Sequence, residues 1–171
     1  MNILYINGYQ DDTLNNLDLI KDYFNIDVNI HILNIKFIRS DEYMIVNQSE
    51  INSLLREITF DLIISSFIGS YISRYYSFKY DIPLISINPL LDINHIESIV
   101  KDRFNKEFYI DDIFGESFII KHIIIYNKSH DDINIDKIKT EGSPSICISG
   151  KYNIGIYVEE IVKFINYYIM G

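Results

Sequence analysis

The segment from Asp61 to Leu91 constrains the fold of this 171-residue chain more than any other part. An apolar run at 62–64 meets a cluster of small residues, a helical segment follows, and a second apolar run at 84–87 is closed by Asn88-Pro89. This order predicts strand, sharp turn, helix and strand, a unit in which a helix joins two parallel strands. The segment therefore indicates an α/β fold with a mostly parallel central sheet.

The turn after the first of these strands is built from small residues, Ser65, Ser66, Gly69 and Ser70. A nucleophile elbow is the strained strand-to-helix turn that presents the attacking side chain, and residues two positions away from that side chain must be small. Ser65 and Gly69 occupy the flanking positions, and Phe67 occupies the position of the nucleophile. A phenylalanine ring cannot attack a carbonyl carbon, and a bulky residue at positive φ is costly. We therefore expect a relaxed turn, with the Phe67 ring in or over the former pocket.

The same stretch resembles the YqiA-like family of small bacterial esterases, whose turn looks like GSSLGGYYA and is followed by a KYGLPxxLINP segment. The matching residues here are Ser66, Gly69, Tyr71, Lys79, Tyr80, Ile82, Pro83, Ile87, Asn88 and Pro89. The resemblance implies a single-domain, three-layer α/β-hydrolase-like fold over residues 1–171, with a mostly parallel central sheet. Small residues at the turn would suit any βαβ unit, and the match through Pro89 favours the hydrolase fold.

The resemblance also implies positions for the other triad members. The general-base histidine of the family's GGDHSF pattern falls on Tyr152, whose type of side chain has an ordinary pKa of about 10 and is a poor base at neutral pH. The carboxylate falls on Ser129 in the simplest register, with Asp131 and Asp132 close by. The triad positions Phe67, Ser129 and Tyr152 therefore predict no catalytic residue. Acyl transfer needs a nucleophile, a base and an orienting carboxylate.

The N-terminal strand leads into Asn7-Gly8-Tyr9, which resembles the family's His-Gly-Phe turn near the oxyanion hole. Asn7 replaces the histidine, while Gly8 still permits close backbone approach. Ser66 is the serine nearest the lost nucleophile, but alternation along a strand predicts that it points away from the catalytic side.

Charge excludes some classes of function. The chain has 24 acidic and 15 basic residues, a net charge of −9, which argues against a nucleic-acid-binding surface and against attachment to an anionic membrane. Pairs of acidic residues usually lie in solvated loops. The alternative interpretation is that they form a negatively charged face that steers a basic protein partner into place. The candidate partner-binding residues are Asp111, Asp112, Asp131 and Asp132.

No cofactor or metal is predicted, because the chain has no Walker A sequence, no G-x-G-x-x-G and no CxxC. His130-Asp131-Asp132 and the pair His95/Glu97 could supply a base or weak metal ligands, but a solvated loop and a helix N-terminus are the favoured interpretations. Cys147 lies in an apolar strand, so we expect a buried core residue. No signal peptide is visible and the apolar runs are too short to cross a bilayer, which predicts a cytoplasmic protein.

Several helices and strands can be placed from hydrophobic periodicity. We expect the first helix to start near Thr13, a strand from Val28, a helix capped by Ser49, and a helix opened by Asn94 or His95. Residues 105–118 fit neither period and are predicted to form a lid or surface arm. The predicted packing face of the last helix consists of Val158, Ile161, Val162, Ile165 and Tyr168.

These observations predict a pseudo-hydrolase that is not an enzyme and that binds another protein. The preferred hypothesis is an immunity-type inhibitor that neutralises a cognate toxin. The alternative is an active esterase or thioesterase on small acyl substrates, with Ser66 or another residue recruited as nucleophile. A third possibility is a small-molecule sensor, which Phe67 disfavours because its ring should reduce the volume of the pocket.

Overall fold

The computed structural model describes residues 1–8, 18–23, 27–35, 42–104, 121–148 and 154–171. Four of the predicted features lie outside these ranges: the start of the first helix near Thr13, the segment 105–118, the acidic pair Asp111-Asp112, and Tyr152.

Strands and helices alternate along the described chain. The strands are β1 (Asn2–Asn7), β2 (Asn29–Asn34), β3 (Leu62–Ser66), β4 (Leu84–Ile87), β5 (His122–Asn127) and β6 (Ser145–Ile148). The helices are α1 (Asp18–Asp22), α2 (Glu42–Glu57), α3 (Gly69–Tyr80), α4 (Ile93–Phe104), α5 (Ile135–Thr140) and α6 (Ile154–Tyr168). All strand pairs are parallel, and they form one six-stranded sheet of order β2-β1-β3-β4-β5-β6.

The sheet is buried on both faces, so its central strands are apolar on both sides. Leu4 and Ile63 pack with α2, α3 and α4 in one hydrophobic cluster. Their strand neighbours Ile3 and Ile64 pack with α1 and α6 in another. This alternation is the period of two expected of β-strands. The predicted three-layer α/β architecture with a mostly parallel sheet is confirmed.

Two helices differ from their predicted form. α2 begins at Glu42 rather than near Ser49, although Ile51, Leu54 and Leu55 pack on the core as the periodicity predicts. α5 was not predicted at all. It is only six residues long, and Asn134 caps it by accepting a hydrogen bond from the Lys137 N–H at 3.0 Å.

Side chains on the two edge strands of the sheet are exposed, and one prediction of burial is wrong for this reason. Cys147 is exposed rather than buried, because it lies on β6, an edge strand. Ile32 lies on the other edge strand, β2, and is 51% exposed. On α6, four of the five predicted core residues are buried, whereas Tyr168 is 41% exposed near the C-terminal end of the helix. Within the described ranges no helix is both long and apolar enough to cross a membrane.

Candidate active site

The turn between β3 and α3, residues 66–69, keeps the backbone of a nucleophile elbow. Phe67 has φ of +47°, in the left-handed region that a bulky side chain rarely adopts. The Phe67 N–H donates to the Ile87 carbonyl at 3.2 Å, and the Phe67 carbonyl accepts from the N–H groups of Ser70 at 3.1 Å and Leu90 at 3.2 Å. These bonds hold the strained residue from two neighbouring segments. The expected relaxation of this turn is therefore wrong.

Two glycines allow the elbow to lie directly against the end of β1. A Cβ atom on Gly8 would collide with the carbonyl oxygen of Ser66 and would lie 2.6 Å from the Ile68 nitrogen. A Cβ atom on Gly69 would collide with the carbonyl oxygen of Ile6. The close approach predicted for Gly8 is confirmed.

The backbone N–H of Ile68 is a candidate donor to an oxyanion. It belongs to the residue after the nucleophile position, where α/β-hydrolases supply one oxyanion-hole donor. Within the described part of the chain, no acceptor is paired with this N–H. The elbow therefore retains a backbone group that can stabilise negative charge on a substrate oxygen.

Ser66 is completely buried, and its hydroxyl is bonded to side chains of β1. Its Oγ accepts a hydrogen bond from the Tyr5 hydroxyl at 3.0 Å and from the Gly8 N–H at 3.4 Å, and donates to Asn7 Oδ1 at 3.3 Å. Asn7 in turn donates to Asn34 Oδ1 on the edge strand at 2.9 Å. This network fixes the end of β1 and leaves Ser66 without access to a substrate.

A histidine and a carboxylate lie beside the elbow. The His130 ring packs on the Phe67 ring with 4.7 Å between centroids and an angle of 66°. His130 Nδ1 lies 3.9 Å from Asp132 Oδ2, and the two side chains are 26% and 14% exposed. His130 and Asp132 are thus partly buried in the loop that was predicted to be solvated, whereas Asp131 is exposed.

The His130 ring can use Nδ1 in two ways. The backbone N–H of Asp132 donates to Nδ1 at 3.4 Å, which suits an unprotonated nitrogen, whereas the Asp132 carboxylate suits a protonated one. When Nδ1 carries the proton and faces the carboxylate, Nε2 is the nitrogen with a free lone pair. In that tautomer His130 can act as a general base through Nε2.

Buried asparagines hold the first residues of this loop. The Asn127 N–H donates to Asn88 Oδ1 at 2.8 Å, and Asn127 Oδ1 accepts from the Ser129 N–H at 2.9 Å. The N–H of His130 donates to the Asn127 carbonyl at 3.0 Å. Asn88 itself has φ of +45° and is fully buried. Sequence reasoning missed both asparagines as loop anchors; their position at the carboxyl ends of two parallel strands was the available signal.

Another histidine lies in a buried polar cluster on the α3 face of the sheet. His122 Nε2 lies 2.9 Å from Ser86 Oγ, and Nδ1 lies 2.9 Å from Ser143 Oγ. Burial, with a smaller contribution from the Arg74 charge, lowers the pKa of His122 to about 3. Ser86 and His122 are 0% and 3% exposed, so this pair is closed to substrates.

Among the residues that the structure describes, the other predicted triad position is not brought to the elbow by a side-chain contact. Ser129, the predicted carboxylate position, is exposed and its side chain has no described contact with His130. Among the residues that the structure describes, no three His, Cys, Asp or Glu side chains form a group that could hold a metal ion.

No family model and no curated protein matches this chain. Solved structures do match its fold. A metagenome-derived lipolytic enzyme of the LipS and LipT pair is 9% identical with a TM-score of 0.63, and the match covers 96% of this chain and 93% of that one. The esterase domain of a Rhodothermus marinus protein is 10% identical with a TM-score of 0.67, and the match covers 96% of this chain and 85% of that one.

These similarities correct the functional prediction. The chain was expected to be a catalytically inactive, immunity-type toxin inhibitor, but both structural neighbours are lipolytic or esterase proteins, and neither is an immunity protein or an inhibitor. That prediction is wrong, and the esterase alternative fits the neighbours better. The chain has an α/β-hydrolase-like fold, which these two structures share, with a six-stranded sheet whose strand pairs are all parallel.

Proposed function

We propose that this protein hydrolyses small ester or thioester substrates, with His130 as the general base at the elbow. The observation that carries the proposal is the position of His130, whose ring packs on Phe67 at 4.7 Å while Nδ1 faces Asp132. A histidine with a carboxylate 3.9 Å from its Nδ1, beside a turn whose Ile68 N–H is a candidate oxyanion donor, is similar to the base and carboxylate that acyl transfer uses. The base comes from the loop after β5 rather than from the loop after β6.

Water is the proposed nucleophile, which replaces the missing serine. Phe67 has no nucleophilic atom, and Ser66 is completely buried. His130 Nε2 accepts a proton from water while the water oxygen bonds to the acyl carbon, and the carbonyl π electrons move to the oxygen. The Ile68 N–H then stabilises the oxyanion. When the tetrahedral intermediate collapses, the alkoxide or thiolate leaves and takes the proton from the His130 imidazolium, which restores the neutral base.

The Phe67 ring favours small substrates. It occupies the nucleophile position and packs partly against the core cluster under α3, so it takes up space that a long acyl chain would need. The esterase and lipolytic activities named for the two structural neighbours support ester hydrolysis as the reaction class. We further propose that the chain is a divergent relative of the YqiA-like esterases.

The experiment is a turnover assay with short-chain p-nitrophenyl esters and an acyl thioester. Wild-type protein should release the leaving group above the buffer rate, and His130→Ala should lower turnover by about 100-fold or more, because general-base catalysis contributes that much. His31→Ala is the matched control, since His31 lies on the edge strand β2 and packs on Phe60 instead. Equal turnover in wild type, His130→Ala and buffer would reject the proposal.

A covalent probe separates water from a protein nucleophile. A fluorophosphonate that reacts with activated serines should leave the wild-type protein unlabelled at Ser66 and Ser129 if water attacks directly. An adduct on Ser129 would show that the Ser129 hydroxyl, and not water, is the nucleophile. The cytoplasmic location, the basic protein partner and the lack of nucleic-acid and membrane binding stay predictions from sequence.

A further inference from the structure

The loop that carries His130 and Asp132 is fixed at both ends, and the Ile133 N–H donates to the His130 carbonyl across it at 3.2 Å. At its start, the Asn127 side chain and carbonyl accept the N–H groups of Ser129 and His130. At its end, Ile133 is buried in a small cluster with Leu91 and Ile138. Asp132 lies between these anchors, and its orientation decides whether its carboxylate faces His130.

His95 supplies support at that point. Its Nε2 lies 2.7 Å from the carbonyl oxygen of Asp132. A carbonyl oxygen can only accept a hydrogen bond, so Nε2 of His95 must carry the proton. The neutral Nε2–H tautomer and the imidazolium both donate there, so the bond is available in either protonation state.

The helix that carries His95 is itself rigidly attached. Asp92 caps the first turn of α4, because its Oδ1 accepts from the N–H groups of Asn94 at 2.9 Å and His95 at 3.2 Å. The next residue, Ile96, is completely buried in the hydrophobic cluster that includes Leu4 and Ile63. A short hydrogen bond from such a helix can hold a loop carbonyl in one place.

We infer that His95 is a positioning residue, whose hydrogen bond to the Asp132 carbonyl sets the Asp132 carboxylate toward His130. This inference rests on the proposed function, since it assigns His95 to the same site. Glu97 plays no part in it, and His95 needs no substrate contact to act. The prediction that His95 lies at a helix N-terminus is confirmed. Its contact with Asp132 could not be predicted locally, because the two residues are 37 positions apart in the sequence.

The test compares His95→Leu, which removes the donor, with His95→Gln, which can donate through its amide. For a short-chain ester, His95→Leu should lower kcat by about 10- to 100-fold with KM unchanged, because a displacement of about 1 Å at a reacting group can cost that much. His95→Gln should recover kcat to within a few-fold of wild type. Asn94→Ala, one residue earlier on the same helix, is the matched control.

A second readout does not depend on turnover. The Phe67 ring is edge-to-face with the His130 ring, so wild-type protein should give nuclear Overhauser contacts between the two rings. These contacts should be lost in His95→Leu and retained in His95→Gln and Asn94→Ala. If wild-type protein hydrolyses no ester, the proposed function fails while this readout still decides whether His95 positions the loop.

Two outcomes would overturn the inference. One is a folded His95→Leu protein that keeps both wild-type kcat and the contacts between Phe67 and His130. The other is a loss of kcat in both His95→Leu and His95→Gln that is proportional to the decrease in their thermal unfolding midpoints. That result would assign His95 a purely structural role. If His95→Leu does not fold, His95→Gln alone must keep kcat and ring contacts for the inference to stand.

Discussion

The His130 ring lies edge-to-face on the Phe67 ring, 4.7 Å away, at the turn where this fold places its nucleophile. The contact joins two features that sequence reasoning kept apart, an inert residue at the elbow and a histidine expected in solvent. It brings an imidazole, with a carboxylate 3.9 Å from its Nδ1, next to the turn that contains Ile68. The elbow thus lacks a side-chain nucleophile, while the Ile68 N–H lies in the turn and the His130 and Asp132 side chains lie beside it.

Restoring a hydroxyl at the elbow should change the kinetic mechanism. The Phe67 backbone keeps the left-handed conformation of a nucleophile elbow, so Phe67→Ser would place a serine hydroxyl there with His130 as its neighbour. We expect an acyl-enzyme, seen as a pre-steady-state burst and as fluorophosphonate labelling of residue 67. Phe67→Ala provides the control without a hydroxyl. Absence of label on Phe67→Ser would show that His130 cannot activate a group at this position.

Gly8 should be needed for both stability and turnover. In Gly8→Ala the new methyl group would collide with the backbone of the elbow, which should cost about 1–3 kcal/mol of unfolding free energy and displace the Ile68 N–H. Gly142→Ala is the control, because it has φ of +77° with nothing within 4 Å, so only backbone strain results. Urea unfolding and ester turnover measure the two effects. Unchanged turnover in Gly8→Ala would argue against the elbow as the site.

Ser66→Ala should lower stability and spare turnover. The buried hydroxyl bonds the Tyr5 hydroxyl and Asn7 Oδ1, so its loss should cost about 1 kcal/mol or more of unfolding free energy. Turnover of a short-chain ester should stay within a few-fold of wild type, since the Ser66 side chain is completely buried against β1. A complete loss of turnover in a folded variant would make Ser66 the nucleophile instead of water.

Acid should destabilise the fold through His122. The unfolded chain binds a proton on this histidine below a pH of about 6.5, whereas burial lowers the pKa of folded His122 to about 3. The stabilisation is therefore fully present above about pH 6.5 and falls with pH, by up to about 1.4 kcal/mol per pH unit, until the folded form protonates. The Arg74 charge also lowers this pKa, and Arg74 pairs with Glu141.

Urea unfolding of wild type and His122→Gln at several pH values between about 7 and about 4 measures this linkage. The wild-type free energy of unfolding should fall more steeply with decreasing pH than that of the variant, by the contribution of one proton. Parallel pH profiles for the two proteins would show that His122 is protonated to the same extent in the folded and unfolded chains.

The fold could be predicted from the sequence because its strongest signals are local. The segment 61–91 contains a strand, a turn of small residues, a helix and a strand, and the structure places β3, α3 and β4 there. The conformation of Phe67 was not predictable in the same way. It depends on a hydrogen bond from the Phe67 N–H to the Ile87 carbonyl and on one from the Leu90 N–H to the Phe67 carbonyl. These partners are 20 or more residues away along the chain, and the bonds oppose the local preference of a phenylalanine.

The site was predicted less well, because its contacts join distant parts of the chain. His130 and Asp132 look like a polar loop in sequence, and only the order of the strands brings that loop to the elbow. Cys147 is a similar case, since the sequence of an apolar strand does not show whether the strand lies at the edge or in the centre of a sheet. Strand order is a property of the whole sheet and leaves no local pattern.

The most direct measurement of the central claim is the kcat of short-chain ester hydrolysis in Asp132→Asn and Asp131→Asn. The two carboxylates are adjacent in sequence and have opposite surroundings, since Asp132 faces His130 and Asp131 is exposed. We predict that Asp132→Asn lowers kcat by up to about 100-fold while Asp131→Asn leaves it within about twofold of wild type. Equal kcat in the two variants would contradict a His130–Asp132 pair at the active site.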